Sequence, residues 1–231
     1  MTPGGDLTYR SVGFVENNGH TLRQILAAAL NRFAASGYAG TSVSDIVGAA
    51  RVTKPALYYY FRNKAGLYQA LVDSAHDERH RLMQEAARRG ATLEAQLVEI
   101  LAALFDYARG HRDLMRLAFA SAFAAPDEAP REVDCGVKCE RNFEFIHSLI
   151  KRGLKQGALD RRFASKELAF GIHGLMNMYL MVHVLMPEYR LDRATAVRVV
   201  KLFLAGAGAE KPAARRRALH PKRTVRKSHL A

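Results

Sequence analysis

The chain has no tryptophan, and only two cysteines and seven prolines among 231 residues. Cys135 and Cys139 are too few to make a secreted disulfide scaffold. The opening residues, MTPGGDLTYRSVGFVEN, lack the basic start and apolar run of a secretory signal, so a cytoplasmic protein is expected. Strand-like alternation is nearly absent, while alanine and leucine are abundant, which predicts an all-α fold. There is no glycine-rich phosphate loop, no nucleophile elbow and no metal triad, so no cofactor or metal is expected, and an enzyme on a helical scaffold is only a lesser alternative. Formal charge is missing altogether from the 19 residues between Leu168 and Met186. Such a run is long enough to span a membrane, and a membrane-associated helical protein is the alternative it raises. It contains His173, Asn177 and His183, however, with Gly171 and Gly174, and polar groups inside a span are expensive. A helix shared between a protein core and a subunit interface accounts for it better.

What the chain has in excess is positive charge, +13 overall. Residues 1–17 carry −1, residues 18–75 carry +4, residues 76–209 carry +3 and residues 210–231 carry +7. A polyanionic partner is therefore expected. The composition divides the chain into a flexible N-terminus (1–17), a first helical unit (18–75), a larger helical unit (76–209) and a basic disordered tail (210–231). Sequence-independent DNA affinity is the role open to that tail, and salt would weaken it.

In the first unit, Thr21 and Gln24 have the form of a capping box, followed by an apolar stripe of Leu22, Ile25, Ala29 and Phe33 and a stop at Gly37. Ser42 and Asp45 form a second capping box ahead of Val43, Ile46, Val47 and Ala50. Thr53 caps a helix with Pro55 in its first turn, with Leu57 and Phe61 on its inner face. Asn63 caps the next helix, which has Leu67 and Leu71 inside. Residues 43–61 thus spell a short helix, a turn and a second short helix, the helix-turn-helix arrangement. In that arrangement the start of the second helix enters the DNA major groove, placing Lys54, Pro55 and Ala56 at base edges and Thr53 at either bases or phosphate. Side chains 100° apart on a helix cannot all face one core. Tyr58 and Tyr59 are therefore expected outside and Tyr60 partly packed, with hydroxyls available to phosphates. Longer helices are expected over 78–89, 93–109, 111–124, 131–156, 165–187 and 192–206.

The stretch ILAAALNRFAASGYAGTSVSDIVGAARVTKPALYYYFRNKAGLYQAL, within residues 21–75, resembles the DNA-binding domain of the TetR/AcrR family of bacterial transcription regulators. The resemblance implies that Ser42 and Ser44 approach DNA from the helix before the recognition helix. It implies that Lys54, Pro55 and Ala56 face bases, that Tyr58, Tyr59 and Tyr60 face the backbone, and that Lys64 meets phosphate. One departure is visible: Arg51 stands in a turn where the family usually has glycine. The resemblance further implies a palindromic double-stranded DNA operator and a small, mostly apolar effector. It implies a homodimer built through helices near 165–187 and 192–206, and a repressor that its effector releases from DNA.

For the effector pocket the candidates are Phe105, Phe119, Phe123, Phe143, His147, His173, Met176 and Asn177, with Met178, Tyr179 and His183 beside them; most of this set is plain core or interface. His76 and His80 have a metal-compatible i, i+4 spacing, but with Asp77 and Glu78 between them they read as a charged helix face. Cys135 and Cys139 read as packing residues rather than sensors.

Overall fold

The computed structural model describes residues 18–123, 130 and 135–207. Residues 1–17 and the basic tail, both singled out above, lie outside the described residues. Among those described, α1 (Asn18–Ser36), α2 (Val43–Ala50), α3 (Lys54–Tyr60) and α4 (Lys64–Ala87) come first. They are followed by α5 (Leu93–Gly110), α6 (Arg112–Phe123), α7 (Gly136–Lys155), α8 (Ser165–Leu185) and α9 (Arg193–Ala207). The fold is all-α, with an N-terminal helix-turn-helix unit and a larger helical unit behind it.

Local signals set most of the boundaries. Ser42 Oγ accepts the Asp45 amide at 3.1 Å while Asp45 Oδ2 accepts the Ser42 amide at 2.9 Å, closing the capping box of α2. Thr53 Oγ1 accepts the Ala56 amide at 3.3 Å, and Asn63 Oδ1 accepts the Gly66 amide at 2.7 Å. Gly37 ends α1 with φ of 68°. Two expectations are corrected. Thr21 does not cap α1, because the helix runs back through it to Asn18 and the hydroxyl sits inside the first turns. Nor is there a break near residue 76. Residues 64–87 form one helix, because the polar stretch His76–Arg81 contains no proline or glycine and only changes which core the helix faces.

Two cores result. In the small one, Ile25 and Phe33 of α1, Ile46 of α2, Leu57 of α3 and Leu67 and Leu71 of α4 close around one another. The large one takes Met83 from α4, Leu97, Leu101 and Phe105 from α5, Ile146 and Ile150 from α7, Ile172 and Met176 from α8, and Val200 from α9. Helix α6 belongs to both. Its Leu114 and Leu117 are buried in the small core, and its Met115 and Phe119 pack on the large one.

By length and composition α8 could cross a membrane. Yet Leu168, Ile172, Met176, Leu180 and Val184, one stripe of it, are buried in the protein. The opposite side exposes Phe170, Met178 and Leu185, with Gly171 and Gly174 between them.

The turn between α2 and α3 is strained at one residue. Arg51 lies in the left-handed region (φ 55°, ψ 41°), the lone non-glycine residue with positive φ among the described residues. The geometry is a Schellman stop: Arg51 N–H donates to Gly48 O at 3.3 Å and Val52 N–H to Val47 O at 3.1 Å. A side chain there costs roughly 1 kcal/mol relative to glycine. Arg51→Gly is therefore expected to raise unfolding stability by about 1 kcal/mol in urea titrations, and Arg51→Val to lower it. Equal midpoints for all three chains would show that the turn stores no strain.

Candidate functional site

The recognition surface is built by a helix with two unlike sides. Leu57 and Phe61 are buried beneath α3, so rotation by 100° per residue leaves Tyr58 and Tyr59 outside, 50% and 73% exposed. Tyr60 is half-buried, its ring edge-on to Tyr59 at 5.0 Å. Thr53, Lys54 and Pro55 are exposed at the start of α3, and Ala56 is half-buried. Ser42 and Ser44 are exposed on α2. The Ser42 hydroxyl donates to Asp45 Oδ2 at 2.6 Å, and with its oxygen already accepting the Asp45 amide it has little left to offer a partner. The Ser42 hydroxyl and the Ser42 amide, both donating to its carboxylate, hold Asp45 below the usual carboxylate range.

Lys64 departs most from its sequence reading. Its ammonium turns inward, donating to Tyr38 O and Thr41 O at 2.8 Å each and sitting 4.1 Å from the centre of the Tyr38 ring. Burial lowers its pKa. Thr41, itself buried, sends its hydroxyl to Gly37 O at 2.8 Å. Together they pin the α1–α2 loop to the start of α4, a role with no local sequence signal because its partners lie more than twenty positions upstream.

Behind this unit lies a cavity of about 160 Å³ between α4, α6, α7 and α8. Its walls are Ala75, Met115, Ala118, Phe119, Ala122 and Met181, and its polar groups come from His76, Arg79, Cys139, Asn142, His173 and Asn177. Of the residues proposed from sequence, Phe119, His173 and Asn177 meet there. Phe105 and Met176 do not line it; both are fully buried in the large core. Phe143 stands behind it, edge-on to His173 at 5.7 Å. His147 is placed elsewhere, between α7 and α8: its Nε2 lies 2.9 Å from Ser165 Oγ and its Nδ1 3.2 Å from Glu144 Oε2. These three side chains resemble a catalytic triad in order, but His147 is buried between the two helices, 3% exposed. The Phe123 side chain lies outside the described residues.

His76 and His80 part company. His76 contacts Cys139 Sγ at 3.8 Å, and His80 Nδ1 lies 3.1 Å from Asn142 Oδ1. His76, Cys135 and Cys139 bring their ligand atoms within 4.8 Å of one another. Tetrahedral zinc with bonds of about 2.0–2.3 Å needs ligand atoms roughly 3.5–3.8 Å apart, so this set is too open as it stands. Burial, then the neighbouring Arg79 charge, lower the His76 pKa.

Burial, and after it the Arg79 charge, pull the His173 imidazole down to about 4. An unfolded histidine titrates near 6.5. Between these values the unfolded chain takes up a proton that the folded chain refuses. The stability contributed by neutral His173 is thus complete above about pH 6.5 and is lost as pH falls towards 4. Over that window the parent is expected to lose about 3 kcal/mol more than His173→Gln in chemical denaturation. Superimposable pH profiles would contradict it.

Residues 25–71 match the family model described as bacterial regulatory proteins, tetR family. The chain is 27% identical over 171 residues to the probable HTH-type transcriptional regulator YttP of Bacillus subtilis, covering 73% of this chain and 79% of that protein. It is 26% identical over 170 residues to the HTH-type transcriptional regulator TtgR of Pseudomonas putida, covering 70% and 81%. The crystal structure of the transcriptional regulator FadR from Bacillus subtilis in complex with stearoyl-CoA superimposes with a TM-score of 0.65 at 20% identity, over 80% of this chain and 98% of that one. This last likeness speaks to the fold.

Proposed function

The chain belongs to the TetR family of helix-turn-helix transcriptional regulators, and from that premise we propose that it is a cytoplasmic, homodimeric repressor that leaves a palindromic operator when a small, mostly apolar molecule fills the cavity behind α4 and α6. The observation that carries the DNA reading is α3 itself. Its inner face is sealed, while Thr53, Lys54, Pro55, Tyr58 and Tyr59 stand in solvent. Lys54 is suited to guanine O6 and N7, and the tyrosine hydroxyls to phosphates. The basic tail adds affinity without sequence preference.

For the effector, the support is a cavity with apolar walls and a few converging polar groups. Its wall of Met115, Ala118, Phe119 and Ala122 is α6, whose Leu114 and Leu117 sit in the core of the DNA-binding unit. A ligand that repositions α6 therefore moves the recognition helices. The FadR neighbour was solved in complex with stearoyl-CoA, so a protein of this fold holds a small-molecule ligand.

For the dimer, the support is the uncovered apolar face of α8, where Phe170, Met178 and Leu185 flank two glycines, with Leu202 exposed on α9. Glycines allow close backbone approach, and an apolar face of this kind marks an interaction surface. Met178→Arg is expected to convert the dimer to monomer in light scattering and to abolish operator binding. A dimeric variant would place the interface elsewhere.

Lys54→Ala is expected to weaken operator binding by about 1–3 kcal/mol and to relax base preference, leaving the dimer intact. Tyr59→Phe should cost roughly 1 kcal/mol on every sequence. Lys64→Met should lower the unfolding midpoint more than it lowers affinity per folded molecule. Fluorescence anisotropy with the DNA flanking the chain's own gene, at two salt concentrations, measures all three. Parent-like affinity in both the Lys54 and Tyr59 variants would defeat the assignment of α3 as the reading helix.

A further inference from the structure

Among the described residues, three buried side-chain polar atoms lack a partner: Arg79 Nε, Arg141 Nε and His173 Nδ1. Arg141 has a counter-ion in Asp77, at 2.8 Å. The other two atoms belong to residues that line the same cavity. Arg79 donates through Nη2 to Asn177 Oδ1 at 2.8 Å, a neutral acceptor. No carboxylate among the described residues forms an ion pair with it. Among the described residues, the nearby acids pair elsewhere, Asp73 with Lys138 at 3.4 Å and Asp77 with Lys138 and Arg141 at 2.5 and 2.8 Å. A guanidinium held in an apolar wall without a counter-charge is costly, and so is each unmade hydrogen bond beside it. Burial is the first cause that draws the Arg79 pKa down to about 10, so it keeps its charge at neutral pH regardless.

We propose that the effector is an amphipathic organic anion whose carboxylate, or an equivalent acidic group, is received by Arg79 and His173 while its apolar body lies against Met115, Phe119 and Met181. Arg79 supplies the charge and the Nε–H that lacks an acceptor. Neutral His173, in the tautomer with its proton on Nδ1, supplies a second donor without a second charge. Asn177 keeps the guanidinium oriented from the far side. The apolar walls exclude water, which strengthens the ion contact and selects against small hydrophilic anions. Among the described residues, Cys139, whose thiol lies near Arg79, is a competing partner.

The inference rests on this cavity being the effector site, and the test separates the two. The full-length dimer is titrated calorimetrically with octanoate and phenylacetate, and in parallel with octanamide and phenylacetamide. The same probes are then added to the protein–operator complex. The acids are expected to bind about tenfold or more tightly than their amides and to release the operator. Arg79→Met should erase that preference, Arg79→Lys should keep most of it, and Cys139→Ala should leave it intact. Should Arg79→Met prove unstable, the acid-to-amide ratio on the parent chain still decides. Amides that bind as well as the acids, or acids that fail to bind at all, would overturn the anion proposal. Amides that release the operator would do so while leaving the cavity as the effector site. A parent chain that holds no operator DNA before any probe is added would strike instead at the regulator reading.

Discussion

The whole arrangement depends on α4 passing unbroken from one hydrophobic core into the other. Its first half contributes Leu67, Leu71, Val72 and Ala75 to the DNA-binding unit, and its second half contributes Met83, Ala86 and Ala87 to the larger unit. Between them the helix must present residues to neither core. That interval holds His76, Arg79 and His80, and it is where α6 and α7 lean against it and the cavity opens. A packed helix does not stretch, so a change at residue 79 is delivered to residue 67 as rotation or translation rather than absorbed locally.

How well the sequence predicted each region follows from how local the determinants are. The DNA-binding unit is specified by caps and stops within a few residues of each other, such as Ser42 with Asp45, Thr53 with Pro55, and Gly37. Those signals can be read one helix at a time. The 100° rotation that leaves Tyr58 and Tyr59 outside needs only the position of Leu57. The break expected near residue 76 was misleading for the same reason: a polar run ordinarily marks a helix end, and here it marks a change of neighbours. The cavity is the opposite case. It is assembled from residues 75 to 181 on α4, α6, α7 and α8, and nothing local distinguishes Phe119, which lines it, from Phe105, which fills the core. Arg79 could not be singled out at all, since its significance is that no acid among the described residues pairs with it in space. Lys64 shows the same limit in reverse, its inward hydrogen bonds depending on carbonyls of a distant loop.

Two kinds of tension are placed differently in the molecule. At the α2–α3 turn a side chain occupies the left-handed region, strain that a glycine would remove. Arg51 is exposed and basic beside the reading helix, so under the proposed function a phosphate contact offsets that strain only when DNA is bound. At the cavity, the Arg79 Nε and His173 Nδ1 atoms, without a partner among the described residues, form a second deficit, which the proposed ligand relieves. Strained and unsatisfied groups concentrate where a partner is meant to complete them.

If each deficit is relieved by its own partner, the sign of the coupling rests on α6. Leu114 and Leu117 anchor it in the small core and Phe119 lies on the large one, with Met115 touching both, so under the proposed function the operator favours one placement of α6 and the ligand another. One helix cannot satisfy two different positions at once. The ligand then weakens DNA binding by its differential affinity for the two placements, and DNA must weaken ligand binding by the same factor. A small cavity is sufficient for such a device. What matters is not how much surface the ligand buries but whether the guanidinium it neutralises sits on the helix that both cores share, and Arg79 does.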